Sequence, residues 1–261
     1  MAHIQFSHAN GVPAESYQYL FELLQPHQVS YVSAYGLGRF QPGRSWQPLV
    51  QELIAAIEAA HSEPVVGIGH SLGGVITCWA ALQRPDLFQR IVLLDPPFLG
   101  MELRRWIILL SPLSTRLKLR IAPLAKKAAR RRAQFGSYEE ARAYWGQRRF
   151  FKSWHPACFE AYVQHALVDD GQGGLTLRIP RELEAHLFAT TPPFLRGGTH
   201  AMPAHYLHAV PGGVTPVSAI ETTHRKAFPT MGFLPVEGGH MFPVEQPART
   251  ADMLLRLLGT A

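Results

Sequence analysis

The sequence predicts an α/β protein in which a mostly parallel sheet is covered by helices on both faces. Short apolar segments with strand character alternate along the chain with segments of helical periodicity. One apolar segment runs into a Gly-x-Ser-x-Gly pentapeptide, Gly69 to Gly73, which is followed at once by a helical pattern. Because parallel strands need long crossover connections, such alternation is typical of a parallel sheet rather than of antiparallel hairpins.

The individual elements can be assigned from periodicity. Short apolar runs predict six strands, at Ile4 to Phe6, Val29 to Val32, Val65 to Ile68, Ile91 to Leu94, Tyr206 to Val210 and Thr230 to Val236. Helical spacing of apolar residues occurs at Tyr17, Leu20 and Leu24, at Leu49, Leu53, Ile54 and Ile57, and at Met253, Leu254, Leu257 and Leu258. These helices would cover a sheet whose strands are buried on both faces.

Length and composition favour a single large core. The chain has 261 residues, of which 47% are hydrophobic and 17% charged, and this is enough to bury one core. The start of the chain lacks a basic segment followed by an apolar run, and the longest apolar stretch, Trp106 to Leu110, is too short to cross a bilayer. We therefore expect a soluble, cytoplasmic protein. Cys78 and Cys158 are isolated, so we expect both to be packing residues.

The alternation of strands and helices stops after the strand at Ile91 to Leu94. Residues 99–198 are helical in character, rich in aromatic side chains and bounded by the proline pairs Pro96-Pro97 and Pro192-Pro193. They carry 17 Lys and Arg against 8 Asp and Glu, whereas the rest of the chain has 8 against 11. We predict that residues 1–98 and 199–261 form the core and that residues 99–198 form an inserted helical cap, or lid, at the carboxyl ends of the strands, where such sheets bind ligands.

Ser71 stands at the centre of the pentapeptide, between a predicted strand and a predicted helix. A serine on a strained turn of this kind exposes its Oγ, and Cβ atoms at positions 69 and 73 would collide where strand and helix approach each other. The pattern is that of a nucleophile elbow. A serine hydroxyl is a weak nucleophile at neutral pH and needs a neighbouring imidazole to accept its proton.

Four segments, Phe6 to Pro13, Gly69 to Gly73, Leu94 to Pro97 and Gly238 to Pro247, together resemble the α/β-hydrolase family. The resemblance spans the core and implies an α/β-hydrolase fold with the chemistry of a serine esterase or lipase. It implies Ser71 as the nucleophile and His240, after the last predicted strand, as the base. Epoxide hydrolases and haloalkane dehalogenases are similar, but they use an aspartate at the elbow.

The acid departs from the commonest pattern of that family. After the strand at Tyr206 the resemblance implies Gly-x-x-Asp, whereas the chain reads Gly-Gly-Val-Thr at residues 212–215. Some members carry the acid one strand earlier, and Asp95, which closes that strand, could hold the imidazole of His240 in its productive tautomer. Asp95 is our candidate. The alternatives are that Asp95 only forms a turn and Glu221 is the acid, or that a dyad works without an acid.

Charge that develops on a substrate carbonyl oxygen needs backbone N–H donors. Leu72 supplies the first, because its amide lies at the N-terminus of the helix after the elbow. The second should come from the loop after Phe6, which resembles the His-Gly-x-Pro loop of the family with two extra residues. Ala9 and Asn10 are both candidates, and we favour Asn10. The alternative is that Asn10 and the glycine after it form only a tight turn.

Other motifs predict no cofactor, metal or nucleic acid. Gly36-Leu37-Gly38 lacks the third glycine and the distal acid of a dinucleotide fingerprint. His70, next to the elbow serine, would point away from it and is not expected to act as the base. Three further histidines are interpreted as structural, since no carboxylate or cysteine completes a ligand set: His200, His205 and His208. The basic run from Lys126 to Arg132 is interpreted as a solvated helix of the cap, and the alternative is contact with phosphate, on coenzyme A or at a membrane surface. No nucleic-acid module accompanies it.

The sequence therefore predicts a serine hydrolase that cleaves a carboxylic ester or related acyl bond of a fairly apolar small molecule through an acyl-enzyme on Ser71. Thioesterase, lactonase, cofactor-free haloperoxidase, peptidase and carbon-carbon hydrolase activities remain open, because a fold does not choose among them. The alternative from another class is a hydrolase-fold receptor that binds a small molecule without turnover. The vacant acid position is the feature that favours it.

Overall fold

The computed structural model describes residues 1–98, 122–190 and 198–259. In these ranges the strands are β1 His3–Ser7, β2 Gln28–Tyr31, β3 Val65–His70, β4 Phe88–Leu94, β5 Gln134–Phe135, β6 Leu167–Asp169, β7 Leu175–Leu177, β8 Ala204–Gly212 and β9 Gly232–Gly239. The helices are α1 Gln18–Leu23, α2 Gln47–Ala60, α3 Leu72–Gln83, α4 Pro123–Ala129, α5 Tyr138–Gly146, α6 Pro156–His165, α7 Arg181–Ala189, α8 Glu221–Ala227, α9 Phe242–Glu245 and α10 Pro247–Leu258.

Six strands form a wholly parallel sheet in the order β2-β1-β3-β4-β8-β9. Each coincides with a strand that the sequence predicts, so the predicted fold class is confirmed. The last strand begins at Gly232 and not at Thr230, and it continues to Gly239. The helix predicted around Leu20 is shorter than its apolar spacing suggested, because a 3₁₀ turn, Ala14–Tyr17, comes before it.

Side chains of the central strands alternate between two cores, one on each face of the sheet. On β3, Val66 and Ile68 pack into the core that includes residues of α1 and α10, whereas Val65 packs into the core formed by α2 and α3. Every residue of this strand is buried. Burial on both faces explains why the strand reads as a nearly continuous apolar run.

The order of the strands determines where a site can form. From β1 the chain runs out to the edge strand β2 and then returns to β3, which pairs with β1 on its other side. The connections from β1 and β3 therefore leave the sheet in opposite directions, and open α/β sheets bind ligands at the carboxyl ends of such a pair. The loop after β1 and the turn after β3 meet at this point.

The segment between β4 and β8, which was predicted as an inserted helical cap, is called the insertion. Its described part, residues 122–190, is not purely helical. Besides α4 to α7 it contains an antiparallel sheet in the order β5-β7-β6, whose short strands carried no clear apolar periodicity. The start of the predicted cap at residue 99, the apolar stretch from Trp106 and the proline pair at Pro192 lie outside the described residues. No helix of the described ranges has the length and apolar character needed to span a bilayer.

Aromatic side chains of the insertion pack against one another. The ring centroids of Trp145 and Tyr162 are 5.0 Å apart, and those of Phe151 and Tyr162 are 4.8 Å apart. This cluster is continuous with the core around Tyr17 on the main sheet. Much of the aromatic character of residues 99–198 therefore serves packing, and it does not by itself describe a lining for substrate.

Gly69 and Gly73 allow three backbone segments to approach one another closely next to Ser71. A Cβ atom on Gly69 would lie 2.3 Å from the carbonyl oxygen of Gly73, and one on Gly73 would lie 2.0 Å from the carbonyl oxygen of Ser7. Neither obstacle is a flexible side chain that could move aside. The strand β3, the start of α3 and the end of β1 are thus in direct backbone contact.

We predict that Gly73→Ala lowers the free energy of unfolding by about 3 kcal/mol or more, because the added methyl group must displace backbone. Urea denaturation followed by circular dichroism measures this change. Gly43→Ala is the matched control, since no heavy atom lies within 4 Å of a Cβ atom there, and its effect should stay within about 0.5 kcal/mol. Equal stability of the two variants would contradict the close approach.

Candidate active site

Ser71 occupies the turn between the end of β3 and the start of α3. Its backbone has φ of 54° and ψ of −118°, a conformation that is strained for any residue other than glycine. Its amide donates a hydrogen bond of 2.9 Å to the carbonyl oxygen of Leu94. The turn is thereby anchored to the neighbouring strand β4 while the serine side chain projects at the carboxyl edge of the sheet.

Asp95 follows β4 directly and has φ of 45°. Ser71 and Asp95 are the two non-glycine residues with positive φ in the described ranges. The Asp95 side chain is fully buried, and it accepts backbone N–H groups from Ala209 at 3.2 Å and from Val214 at 3.1 Å. These donors hold both carboxylate oxygens in one orientation.

His240 lies after β9 and joins these two side chains. Its Nε2 is 2.9 Å from the Oγ of Ser71, and its Nδ1 is 2.7 Å from the Oδ2 of Asp95. Since a carboxylate can only accept, Nδ1 carries the proton that is shared with Asp95, and Nε2 is left as the acceptor for the Ser71 hydroxyl. The structure therefore brings together the serine, imidazole and carboxylate that the sequence singled out.

The segment where the acid was expected has a different task. The amide of Val214 donates to Asp95, and the hydroxyl of Thr215 donates to the carbonyl oxygen of Phe98 at 2.9 Å. A Cβ atom on Gly213 would lie 2.5 Å from the carbonyl oxygen of Ala209 and 3.2 Å from Asp95 Oδ1. Gly213 thus lets the backbone wrap around the aspartate, and the paired glycines are the sequence signal for this arrangement.

Glu221, the other candidate acid, lies elsewhere. It begins α8, and its carboxylate pairs with Arg225 one turn later at 2.9 Å. Both side chains are exposed. Among the hydrogen bonds of the described residues, His240 Nδ1 bonds to Asp95 and not to Glu221.

The loop after β1 passes beside the start of α3. Val12 donates its amide to the carbonyl oxygen of Ala9 at 3.1 Å, and Gly11 has φ of 73°, so residues 9–12 do form a tight turn. The Ala9 amide donates to the hydroxyl of Tyr17 at 3.4 Å. Of the two candidate oxyanion donors, Ala9 therefore already has an intramolecular acceptor, and no hydrogen bond of the Asn10 amide occurs within the described ranges.

Glu184, a residue of the insertion, contacts this turn. Its backbone carbonyl accepts the side-chain amide of Asn10 at 3.1 Å, and a Cβ atom on Gly11 would lie 2.7 Å from its carboxyl carbon. Its carboxylate pairs with Arg131 at 2.6 Å, and Arg131 also donates to the hydroxyl of Tyr162. This contact has no signal in the sequence, because the residues that make it lie far apart in the chain.

The basic run is therefore not one continuous patch. Lys126, Lys127 and Arg130 are exposed, whereas Arg131 turns inward to its ion pair. Arg132 pairs with Glu140 and lies 4.6 Å from the ring centroid of Phe135. The run combines part of a solvated helix with two arginines that hold the insertion together.

Two buried histidines flank the site as neutral groups. Burial lowers the pKa of His8 to about 4; its Nε2 accepts the amide of Tyr35 at 3.0 Å, and its Nδ1 donates to the carbonyl oxygen of Ala9 at 2.8 Å. Burial likewise holds the pKa of His70 well below the usual range. Among the described residues no group of three or more potential ligands could hold a metal ion. His200, His205 and His208 therefore do not form such a group.

The sequence also matches a family of known proteins over most of its length. Residues 6–253 match the alpha/beta hydrolase family. The chain belongs to that family. It is 27% identical over 110 residues to an abhydrolase domain-containing protein, AFT2-1 of Alternaria alternata, a match that covers 42% of this chain and only 36% of that protein.

Solved structures share the fold at low sequence identity. The thioesterase domain of the curacin biosynthetic pathway superposes with a TM-score of 0.73 at 14% identity, over 97% of this chain and 91% of that one. An M. tuberculosis esterase superposes with a TM-score of 0.69 at 19% identity, over 98% and 85% of the two chains. At these identities the superpositions show that the fold is shared.

The ion pair above Gly11 should contribute to stability. In Glu184→Gln the side chain of Arg131, which is 24% exposed, loses its charge partner, so we expect the free energy of unfolding to fall by about 2 kcal/mol. Glu221→Gln breaks the exposed pair with Arg225 and should change it by less than about 0.5 kcal/mol. Chemical denaturation of both variants makes the comparison, and an equal loss in the two would contradict a structural role for Glu184.

Proposed function

We propose that this chain is a serine hydrolase that cleaves a carboxylic ester or related acyl bond of a fairly apolar small molecule through an acyl-enzyme on Ser71. The observation that carries the proposal is the pair of hydrogen bonds made by His240, at 2.9 Å to Ser71 and at 2.7 Å to Asp95. Nucleophile, base and orienting acid within hydrogen-bond reach of one another are the general signature of nucleophilic catalysis.

The first chemical step is acylation. As the Oγ of Ser71 bonds to the substrate carbonyl carbon, its proton passes to Nε2 of His240, and the carbonyl π electrons move to oxygen to give a tetrahedral oxyanion. The imidazolium then protonates the leaving alcohol while the carbonyl re-forms and the bond to that oxygen breaks. Asp95 accepts from Nδ1 throughout, which favours the productive tautomer and stabilises the imidazolium.

The oxyanion needs donors that are aimed before the reaction begins. The amide of Leu72, at the N-terminus of α3, is one, because first-turn N–H groups have no partner within a helix. The amide of Asn10 is the second in this proposal, since the Ala9 amide already donates to Tyr17. The contact of Gly73 with the carbonyl of Ser7 supports this pairing, because it holds the two backbone segments side by side.

Deacylation repeats the same steps with water as the nucleophile. His240 accepts a proton from a water that attacks the acyl carbon, and it then returns a proton to Ser71 Oγ as the acid product departs. The same donors serve both oxyanions. No cofactor takes part in this cycle.

The class of leaving group is a further part of the proposal. An ester is favoured on the resemblance of the core motifs to serine esterases. The support for an apolar substrate is the aromatic content of residues 99–198 that lies outside the packed cluster. A thioester would follow the same path with a thiol as the leaving group, so a matched ester and thioester of one acyl chain should be compared directly.

The receptor alternative depended on the vacant acid position after β8. The hydrogen bond between Asp95 and His240 weighs against it, because the imidazole has a carboxylate partner although the position after β8 holds none. A wild-type protein that binds a small molecule without turnover would favour the receptor.

We expect wild-type protein to hydrolyse nitrophenyl acyl esters of short to medium chain length and to be labelled covalently by a fluorophosphonate. Ser71→Ala should lower kcat by about 10⁴-fold or more and abolish labelling, because the nucleophile is gone. Release of nitrophenol and intact-mass spectrometry measure the two effects. Wild-type protein that neither turns over these esters nor takes up the label would favour the receptor.

Asp95→Asn should lower kcat by about 10³-fold while the protein stays folded, because an amide side chain no longer selects the Nδ1–H tautomer of His240. Glu221→Gln, the alternative acid, should retain activity within about twofold. Steady-state kinetics on one ester, with circular dichroism as the folding control, compares the two. A larger loss in Glu221→Gln than in Asp95→Asn would reverse the assignment of the acid.

A further inference from the structure

His70 precedes the candidate nucleophile and has no role in the chemistry proposed above, yet both its ring nitrogens are bonded. Nδ1 lies 2.7 Å from the hydroxyl of Tyr17, and Nε2 lies 2.9 Å from the carbonyl oxygen of His240. His70 is the last residue of β3 and is completely buried. Both polar positions of this buried ring are therefore satisfied, as is usual for buried polar groups, and each partner belongs to a different segment of the site.

The direction of each bond follows from the chemistry of the partners. The His240 carbonyl can only accept, so Nε2 of His70 carries a proton. Burial keeps the ring neutral, so Nδ1 is an acceptor and the Tyr17 hydroxyl donates to it. The same hydroxyl oxygen accepts the amide of Ala9 at 3.4 Å. One chain of fixed direction therefore runs from the Ala9 amide to the His240 backbone.

The two ends of this chain are parts of the site that no strand pairing joins. Ala9 belongs to the loop after β1, and His240 lies between β9 and the short helix α9. The first turn of α9 uses the carbonyl of Met241, which accepts the amides of Val244 and Glu245. The His240 carbonyl is thus left for the ring of His70.

We propose that Tyr17 and His70 are positioning residues. Through this series of hydrogen bonds they fix the position of the His240 backbone relative to the loop at Ala9. The role rests on the proposed function. If the backbone of His240 shifts, the distance from its ring to Ser71 changes. If the Ala9 amide loses its hydrogen bond, the neighbouring amide of Asn10 is no longer held in its orientation toward the oxyanion. Both errors affect the transition state more than the bound substrate.

Tyr17→Phe removes the hydroxyl and leaves the ring, which packs against Phe6 with centroids 4.7 Å apart. We expect kcat to fall about tenfold and KM to stay within about twofold, as for the loss of one buried hydrogen bond felt in the transition state. Tyr35→Phe is the matched control. Tyr35 is also buried, but its hydroxyl bonds to Ser7 and takes no part in the hydrogen bonds that link Ala9 to His240. Its kcat should stay within about twofold of wild type.

A second pair of variants tests the chain at its centre. The side-chain amide of His70→Gln can still donate to the His240 carbonyl, whereas His70→Leu cannot. We expect the glutamine variant to keep a kcat about fivefold higher than that of the leucine variant, a rescue that packing alone does not supply. Equal values in a folded pair would overturn the proposal.

The tautomer of His70 can be measured independently of enzymatic turnover. NMR of the imidazole nitrogens in wild-type protein labelled at histidine should show His70 protonated at Nε2 and unprotonated at Nδ1. The opposite tautomer would overturn the chain of fixed direction. An active wild type with unchanged kcat in Tyr17→Phe would overturn the positioning role alone. An inactive, unlabelled wild type would overturn the proposed function, and the positioning role with it.

Discussion

The site depends on one steric constraint, the contact of Gly73 with the carbonyl of Ser7. With no Cβ atom between them, the start of α3 lies directly on the end of β1, and the turn at Ser71 has no room for another geometry. That contact sets the helix N-terminus beside the loop at Asn10. The strained backbone at Ser71 and Asp95 persists because the surrounding sheet determines the position of both ends of each turn.

The fold and the central residues of the site could be predicted because their signals are local. A buried strand followed by Gly-x-Ser-x-Gly indicates the turn at Ser71 through sterics alone. The six strands coincide with short apolar runs because parallel strands are buried on both faces. Asp95 could be proposed since it ends one of these runs, and the carboxyl ends of parallel strands share one edge of the sheet.

The rest could not be predicted because it depends on contacts between distant segments. The glycine pair at residues 212–213 signals a close backbone approach, but only the structure shows that the group approached is the carboxylate of Asp95, which follows β4. Arg131 looked like one member of a basic run, and only the packing of the insertion turns it toward Glu184. The bonds of His70 to Tyr17 and His240 likewise need three segments to be in place. The aromatic composition of residues 99–198 is visible in the sequence, but only the structure shows that much of it forms a packed cluster.

The contact of Glu184 with the turn at Gly11 means that the insertion and the core are not independent modules. The carboxylate of Glu184 fills the space beside a glycine of that turn, and its backbone carbonyl holds the side chain of Asn10. A chimera that carried a different insertion would therefore disturb the loop that carries the proposed oxyanion donor. Exchanging this part of the chain without the loop after the first strand would leave the turn at Gly11 without its carboxylate neighbour.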